Sequence, residues 1–287
     1  MKVAVVGAGR VGTAIGVLLA RAGHDVVAVS GRAATAVRVA SYLPGVPLLD
    51  PVEAAARAEL VVLGVPDDLL GSMIRELTQA RAWRNGAWVS HVSGANGLAV
   101  LDPVRTVGAR RLAIHPLQTF PDVEAALAAI PGCWMAVTAE DADGDRLGSD
   151  LARDVGANPF PLGDEKRPLY HAAAVFASND VVAVSAIAER LFSLAGLPDP
   201  NAAMLPLQEA TVRNVGRVGA GLALTGPAVR GDAGTIQRNL QALADEAPET
   251  VDAYVVLCRV LLALAVDGGR LAPEGREAVE KVLAGWT

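Results

Sequence analysis

His115 closes a short apolar run, LAIHPLQTF (112–120), with Pro116 directly behind it and Gln118 and Thr119 close by. An imidazole titrates near neutral pH, so it offers both a proton donor and a proton acceptor to a reacting carbonyl or imine. Three further residues have matching chemistry: Ser93 in Ser90-His91-Val92-Ser93-Gly94, and His171 and Asn179 in a later Ala/Val-rich stretch that also carries Ser178. On a continuous helix at about 100° per residue, His171 and Ser178 lie only about 20° apart and Asn179 shares their broad face. Polar groups set among Ala and Val are costly to bury unless they are bonded or line a wet cavity. Ser93, His115, His171 and Asn179 are therefore the candidate catalytic residues, and His91 is read as a structural histidine. The chemistry they suit is the proton half of a hydride transfer to C=O or C=N. The histidines and cysteines have no metal-ligand spacing, and neither a GxSxG elbow nor a GxxxxGK[ST] loop is present.

A hydride needs a carrier, and the N-terminus has the pattern for one. Gly7-Ala8-Gly9-Arg10-Val11-Gly12 follows an apolar run and opens a helical one. In that context Gly7 permits a tight turn, Gly9 lets a pyrophosphate approach the backbone, and Gly12 lets helix and strand pack closely. About 20 residues on, where an NAD site has an acidic residue, stand Ser30, Gly31 and Arg32. This predicts NADP(H), with Arg32 on the 2′-phosphate and Ser30 donating a hydrogen bond. Val65 and Pro66 end another apolar run and are expected at the same edge, with Asp67 and Asp68 capping the helix that follows.

The elements that must position these residues alternate up to about residue 162. Runs at 2–6, 25–30, 60–64, 87–92, 111–115, 134–138 and 158–162 read as strands, with Ala/Leu-rich helices between them. Unbroken runs such as LVVLGV imply strands covered on both faces. After Gly163-Asp164-Glu165-Lys166-Arg167-Pro168 the strand signals stop, and helices are predicted at about 168–195, 200–217, 232–246, 248–267 and 273–284. The expectation is an α/β protein: an N-terminal Rossmann domain (1–163) with a doubly wound, mostly parallel sheet, then an all-helical domain (164–287) for substrate binding and dimerisation. The first of these helices is apolar around most of its circumference, so a second copy of the chain is expected to cover part of it.

Composition narrows the partners. A net charge of −6, 52% hydrophobic residues and few aromatics give no footprint for nucleic acid or an anionic membrane. Cys133 and Cys258 stand alone, which fits a reducing cytoplasm. The glycines at 7, 9 and 12 interrupt any signal-peptide core. The run 253–266 contains Arg259 and falls short of the roughly 20 residues that cross a bilayer. A small-molecule substrate is the expected partner.

Taken together, GAGRVG, SHVSGANG, AIHPLQTF, LYHAAAVFASN and LTGPAVRGD resemble the bacterial Rossmann-like proteins that carry a C-terminal DUF2520 domain. The resemblance implies an NADP-dependent oxidoreductase with a helical dimerisation domain. More distantly the chain is similar to prephenate dehydrogenases, in which a His-Pro pair holds the catalytic histidine, a role that carries over to His115, and a serine role to Ser93. That likeness makes a prephenate- or arogenate-type dehydrogenase the enzymatic alternative. The β-hydroxyacid dehydrogenase group uses Lys-x-x-x-Asn; here Asn179 matches but the lysine position is Val175, so a lysine-based reaction is not implied. A non-catalytic NADP(H) sensor is the alternative of another class. In Leu224 to Asp232, Thr225 and Arg230 are expected to bind a substrate carboxylate, Arg bidentately, or else to belong to a structured loop. The substrate is expected to be a small anionic carbonyl or imine compound.

Overall fold

The apolar runs become strands β1 (Lys2–Val6), β2 (Asp25–Ser30), β3 (Leu60–Leu63), β4 (Trp88–His91), β5 (Arg110–Pro116), β6 (Trp134–Ala139) and β7 (Asn158–Pro161). They lie in one sheet in the order β2-β1-β3-β4-β5-β6-β7. All neighbours are parallel except β5 and β6. The helices between them are α1 (Arg10–Arg21), α2 (Thr35–Tyr42), α3 (Pro51–Ala56), α4 (Asp67–Gln79), α5 (Asp102–Arg105), α6 (Val123–Ala129) and α7 (Ala142–Asp154). The computed structural model describes residues 1–32 and 34–286.

Strand side chains alternate between the two faces. Val3, Leu60, Val62, Leu112 and Ile114 pack with α1, α6 and α7 residues on one side, while Ala4, Val6, Val61, Leu63 and Ala113 pack with α3 and α4 residues on the other. All four residues of β3 are buried, because helices cover both its faces. Each fully buried Val or Leu stabilises the fold by about 1.5–3 kcal/mol. The strand order reverses direction at β1, with β2 on one side and β3 on the other. A ligand of such a sheet sits at the carboxyl ends beside that reversal. Outside β2 the next strand is reduced to one parallel bridge, Val29 to Leu48.

Three glycines close the first turn. Gly7 adopts φ +87°, and an added Cβ there would meet Val65 at 2.6 Å. A Cβ on Gly12 or on Gly64 would lie 2.6 Å from the carbonyl oxygen of Gly7. Thus α1 starts against the end of β3 with no room for a side chain at either position.

The chain falls into two compact units, Met1–Asn179 and Asp180–Thr287. The predicted helix 168–195 is two helices, α8 (Arg167–Ala177) and α9 (Asn179–Leu194), interrupted where Ser178 leaves the helical region at φ −131°, ψ −70°. In the second unit follow α10 (Pro200–Val218), α11 (Ala220–Ala223), α12 (Pro227–Arg230), α13 (Ala233–Glu246), α14 (Val251–Asp267) and α15 (Pro273–Ala284). Its core joins Ile236 and Leu240, Val255, Cys258 and Leu262, and Val279 and Leu283, each set spaced along one helix face.

The 31-residue segment Asp164–Leu194 contains an 18-residue window of mean hydropathy 1.4 and is long and apolar enough to cross a membrane by length and composition alone. Its first part is anchored elsewhere: the buried Arg167 guanidinium bonds to the loop after β4, to the middle of β5 and to β6. Those bonds hold α8 on the sheet.

Candidate functional site

The glycine loop lines a cavity of about 770 Å³ whose walls include Gly7, Ala8, Gly9, Ser30, Gly31, Arg32, Gly64, Val65 and Pro66. These are the predicted positions at the ends of β1, β2 and β3. Arg10 and Val11 are not among the lining residues; Arg10 faces a neighbouring hollow and Val11 packs on the core. Gly9 differs from its neighbours: a Cβ there would meet nothing closer than 3.8 Å. The fold itself therefore leaves open the space in front of Gly9, as a bound pyrophosphate requires. Gly9 is also the N-cap of α1 and no side chain caps that helix, so its first amides are free for an anion. The residues present fit a dinucleotide.

Ser30 is buried, and its carbonyl accepts from the amides of Gly7 (2.9 Å) and Ala8 (2.8 Å), which shapes the turn. Arg32 is exposed on the wall. Arg38, which sequence reasoning missed, also lines the cavity and donates from Nη1 to the carbonyl of Ala8 at 3.0 Å. It lies one helical turn into α2, too far from the strand end for the usual spacing rule to find it.

At the carboxyl end of β5, His115 lines a second cavity of about 690 Å³ with Gln118, Thr119, Tyr170, His171, Ser178 and Asn179. Three of the four candidate catalytic residues are thus brought together within the first unit. A Cβ placed on Gly94 would sit 2.9 Å from both His115 Nε2 and His171 Nδ1, so the two imidazoles converge on one point above that glycine. Nδ1 of His171 is buried without a hydrogen-bond partner, an arrangement that is costly unless a ligand supplies one. On the other edge of His115, Nδ1 lies 2.7 Å from the Tyr170 hydroxyl.

The fourth candidate, Ser93, does not line this cavity. Its hydroxyl donates to Asp67 Oδ2 (2.9 Å) and accepts from the backbone and side-chain nitrogens of Asn96, both at 3.0 Å. With its proton already committed, Ser93 holds the loop rather than offering a proton. Asp67 is likewise not the expected helix cap, since α4 begins on Pro66 without a side-chain cap. Instead it ties the wall of the dinucleotide cavity to the β4 loop that carries Gly94.

His91 is structural, as expected. Its Nε2 donates to the Gly97 carbonyl (3.1 Å) and its Nδ1 accepts from the Ser93 amide (3.2 Å). Burial, then the Arg167 charge, push its pKa down to about 4 against the bond to Gly97. His115 is also pushed down to about 4, by burial first and then by Arg167, His171 and His91. This corrects the expectation of a histidine poised near neutrality: at pH 7 His115 is a neutral imidazole with a single N–H.

Arg167 is the buried cation that adds to burial in both shifts. It is 0% exposed and donates from Nε to Thr138 Oγ1 (3.0 Å), from Nη1 to the carbonyls of Ser93 (2.8 Å) and Asn96 (3.1 Å), and from Nη2 to that of Ala113 (3.3 Å). In the sequence it sits in a polar, linker-like stretch, where a charge reads as solvated.

The lining of the second cavity contains no lysine or arginine. Its polar lining consists of the side chains of Gln118, Thr119, Tyr170, Ser178 and Asn179 and the imidazoles of His115 and His171. In the second unit Thr225 and Arg230 are exposed, and Arg230 Nη2 lies 4.0 Å from Asp232 Oδ2. Asp232 caps α13 by accepting from the Thr235 amide.

Comparison with known proteins gives two family matches, the second of which begins inside the first unit. Residues 1–116 match the Rossmann-like domain family and residues 133–260 the domain of unknown function DUF2520. The chain is 36% identical over 167 residues to a glycerol-3-phosphate dehydrogenase (NAD(P)+) of Streptomyces avermitilis, a match over 51% of this chain and 48% of that protein. It thus spans about half the length of that relative. Among solved structures, a candidate NADP oxidoreductase from Bacteroides fragilis superposes with a TM-score of 0.76 at 23% identity, over 91% of this chain and 98% of that one. An imine reductase from Myxococcus stipitatus in complex with NADP+ gives 0.65 at 19% identity, over 100% and 99% of the two chains. At these identities the likeness is one of fold.

Proposed function

We propose that this chain, a Rossmann-like protein carrying a DUF2520 domain, is an NADP(H)-dependent oxidoreductase acting on a small carbonyl or imine compound. One observation carries the reading: two imidazoles converge above Gly94, at the sheet edge that also presents the open glycine loop. Gly7, Ala8 and Gly9 would hold the pyrophosphate, and Arg32, with Arg38 beside it, the 2′-phosphate. The nicotinamide, when bound, supplies a hydride. His115, neutral at pH 7, donates a hydrogen bond from its one N–H to the oxygen or nitrogen that gains negative charge, and the proton that completes the reduction comes from solvent. His171 and Asn179 orient the substrate from α8 and from its end. Thr225 and Arg230 are kept as the substrate-carboxylate contacts of the second unit, and Arg230→Ala tests them: turnover falls while NADPH affinity is preserved.

A homodimer belongs to the same reading. No residue of α9 is buried, and Val182, Leu207, Val212 and Val260 are 68%, 60%, 65% and 58% exposed on the helices of the second unit. A second copy of the chain is the proposed cover, and sedimentation of the purified protein at twice the chain mass checks it.

The experiment is NADPH consumption across a panel of keto acids, aldehydes and cyclic imines, repeated with His115→Ala. Turnover of one compound that falls at least a hundredfold in the variant supports the assignment. Tight NADPH binding with no consumption anywhere in the panel supports a non-catalytic sensor instead.

A further inference from the structure

The first unit contains a second polar contact to His115 that the proposed reaction does not yet use. Tyr170, one residue before His171 on α8, stands edge-on to the imidazole with ring centroids 5.5 Å apart, and its hydroxyl is 2.7 Å from Nδ1. Phe160 also packs on the phenol, tilted, with ring centroids 5.9 Å apart. A neutral imidazole has one N–H, so this contact has two possible directions. If Nδ1 donated, the phenolic proton of a half-buried tyrosine would have no acceptor among the described contacts, and Nε2 would be a bare nitrogen. If the phenol donates, every proton has a use and Nε2–H is left beside Gly94 and His171.

We propose that Tyr170 is the positioning residue of this site: its hydroxyl donates to Nδ1 of His115 and fixes the ring as the Nε2–H tautomer. The inference rests on the proposed reduction for its purpose, since that tautomer places the proton where the two imidazoles converge. Its geometry stands apart from the reaction. Burial, against the pull of Arg167, pushes the Tyr170 pKa up to about 12, so the phenol keeps its proton at neutral pH. The titratable and charged groups around the pair are Arg167 and His171 of α8, His91 of β4 and Cys133 before β6.

The test is the ring-nitrogen spectrum of the full chain labelled with ¹⁵N-histidine, with the His115 signals assigned by their loss in His115→Gln. At pH 7 the wild-type protein shows His115 with protonated Nε2 and bare Nδ1. In Tyr170→Phe, which keeps the aromatic packing, the Nδ1 signal shifts toward the protonated position as the second tautomer becomes populated. Where a substrate has been found, kcat falls about tenfold in this variant with KM unchanged. A wild-type protein in which Nδ1 carries the proton overturns the proposal, and so does a spectrum unchanged in Tyr170→Phe. Failure to find any substrate overturns the proposed reaction but leaves the tautomer result standing.

Discussion

Lowering the pH from 7 to 5 unfolds part of the stability margin of the first unit through its buried imidazoles. In the unfolded chain His91 binds its proton near 6.5, and in the folded chain only at about 4. Between those values the unfolded state holds a proton that the folded state refuses. The stabilisation is complete above 6.5 and is lost as pH falls toward 4, at up to about 1.4 kcal/mol per pH unit for each imidazole. For His91, which is 0% exposed, the loss is about 2 kcal/mol at pH 5 and about 3 kcal/mol by pH 4. His115, partly exposed and lowered to about 4, adds a smaller share. With a urea slope of about 2 kcal/mol per molar, the midpoint falls by about 1–2 M between pH 7 and 5. Fluorescence of Trp83 and Trp88, 5% and 9% exposed in this unit, follows the transition. Asp141 and Asp232, held below the usual carboxylate range chiefly by the amides of Gly144 and Thr235, lose their contribution only below about pH 4. A midpoint that stays constant between pH 7 and 5 would refute the reasoning, because it would mean that these imidazoles titrate alike in both states.

Three further outcomes follow from the geometry. Gly9→Ala leaves the urea midpoint within the few tenths to about 1 kcal/mol of an N-cap change but lowers NADPH affinity at least tenfold in a fluorescence titration, whereas Gly12→Ala, with its Cβ 2.6 Å from the Gly7 oxygen, destabilises by about 1–3 kcal/mol. Arg32→Ala reduces the preference for NADPH over NADH by about 10- to 100-fold, the range of a charged hydrogen bond; an unchanged ratio counts against the 2′-phosphate assignment. Gly94→Ala abolishes turnover with the NADPH affinity preserved, since the new methyl would stand 2.9 Å from both His115 and His171.

The sheet was legible because its strands are β-branched runs between glycine and polar breaks, and covered strands leave no other reading for a run such as 60–63. The dinucleotide edge was legible because strand, glycine turn and helix are local in sequence. What stayed hidden depends on distant partners. The interruption at Ser178 has no Gly or Pro to announce it in an otherwise helical stretch. Arg167 gives no sign of burial, because its acceptors come from Ser93, Asn96, Ala113 and Thr138, far off in the chain. The neutrality of His115 is a consequence of that same cation and of its enclosure, and so could not be read from LAIHPLQTF. Ser93 was read as a catalytic serine, and its bonds to Asp67 and Asn96 stayed hidden because Asp67 lies far off in the chain.

The oxygen of Gly7 lies 2.6 Å from the Cβ positions of both Gly12 and Gly64, and this widens the glycine fingerprint beyond the six residues in which it is recognised. Gly64 is fifty-two positions downstream of Gly12, yet the two cannot change independently: a methyl at either one displaces the same carbonyl. The heritable unit is a loop together with the tip of a strand two strands later. A graft of GAGRVG onto another sheet would therefore carry over only half of what makes the turn possible, unless the receiving strand also ended in a residue without a side chain.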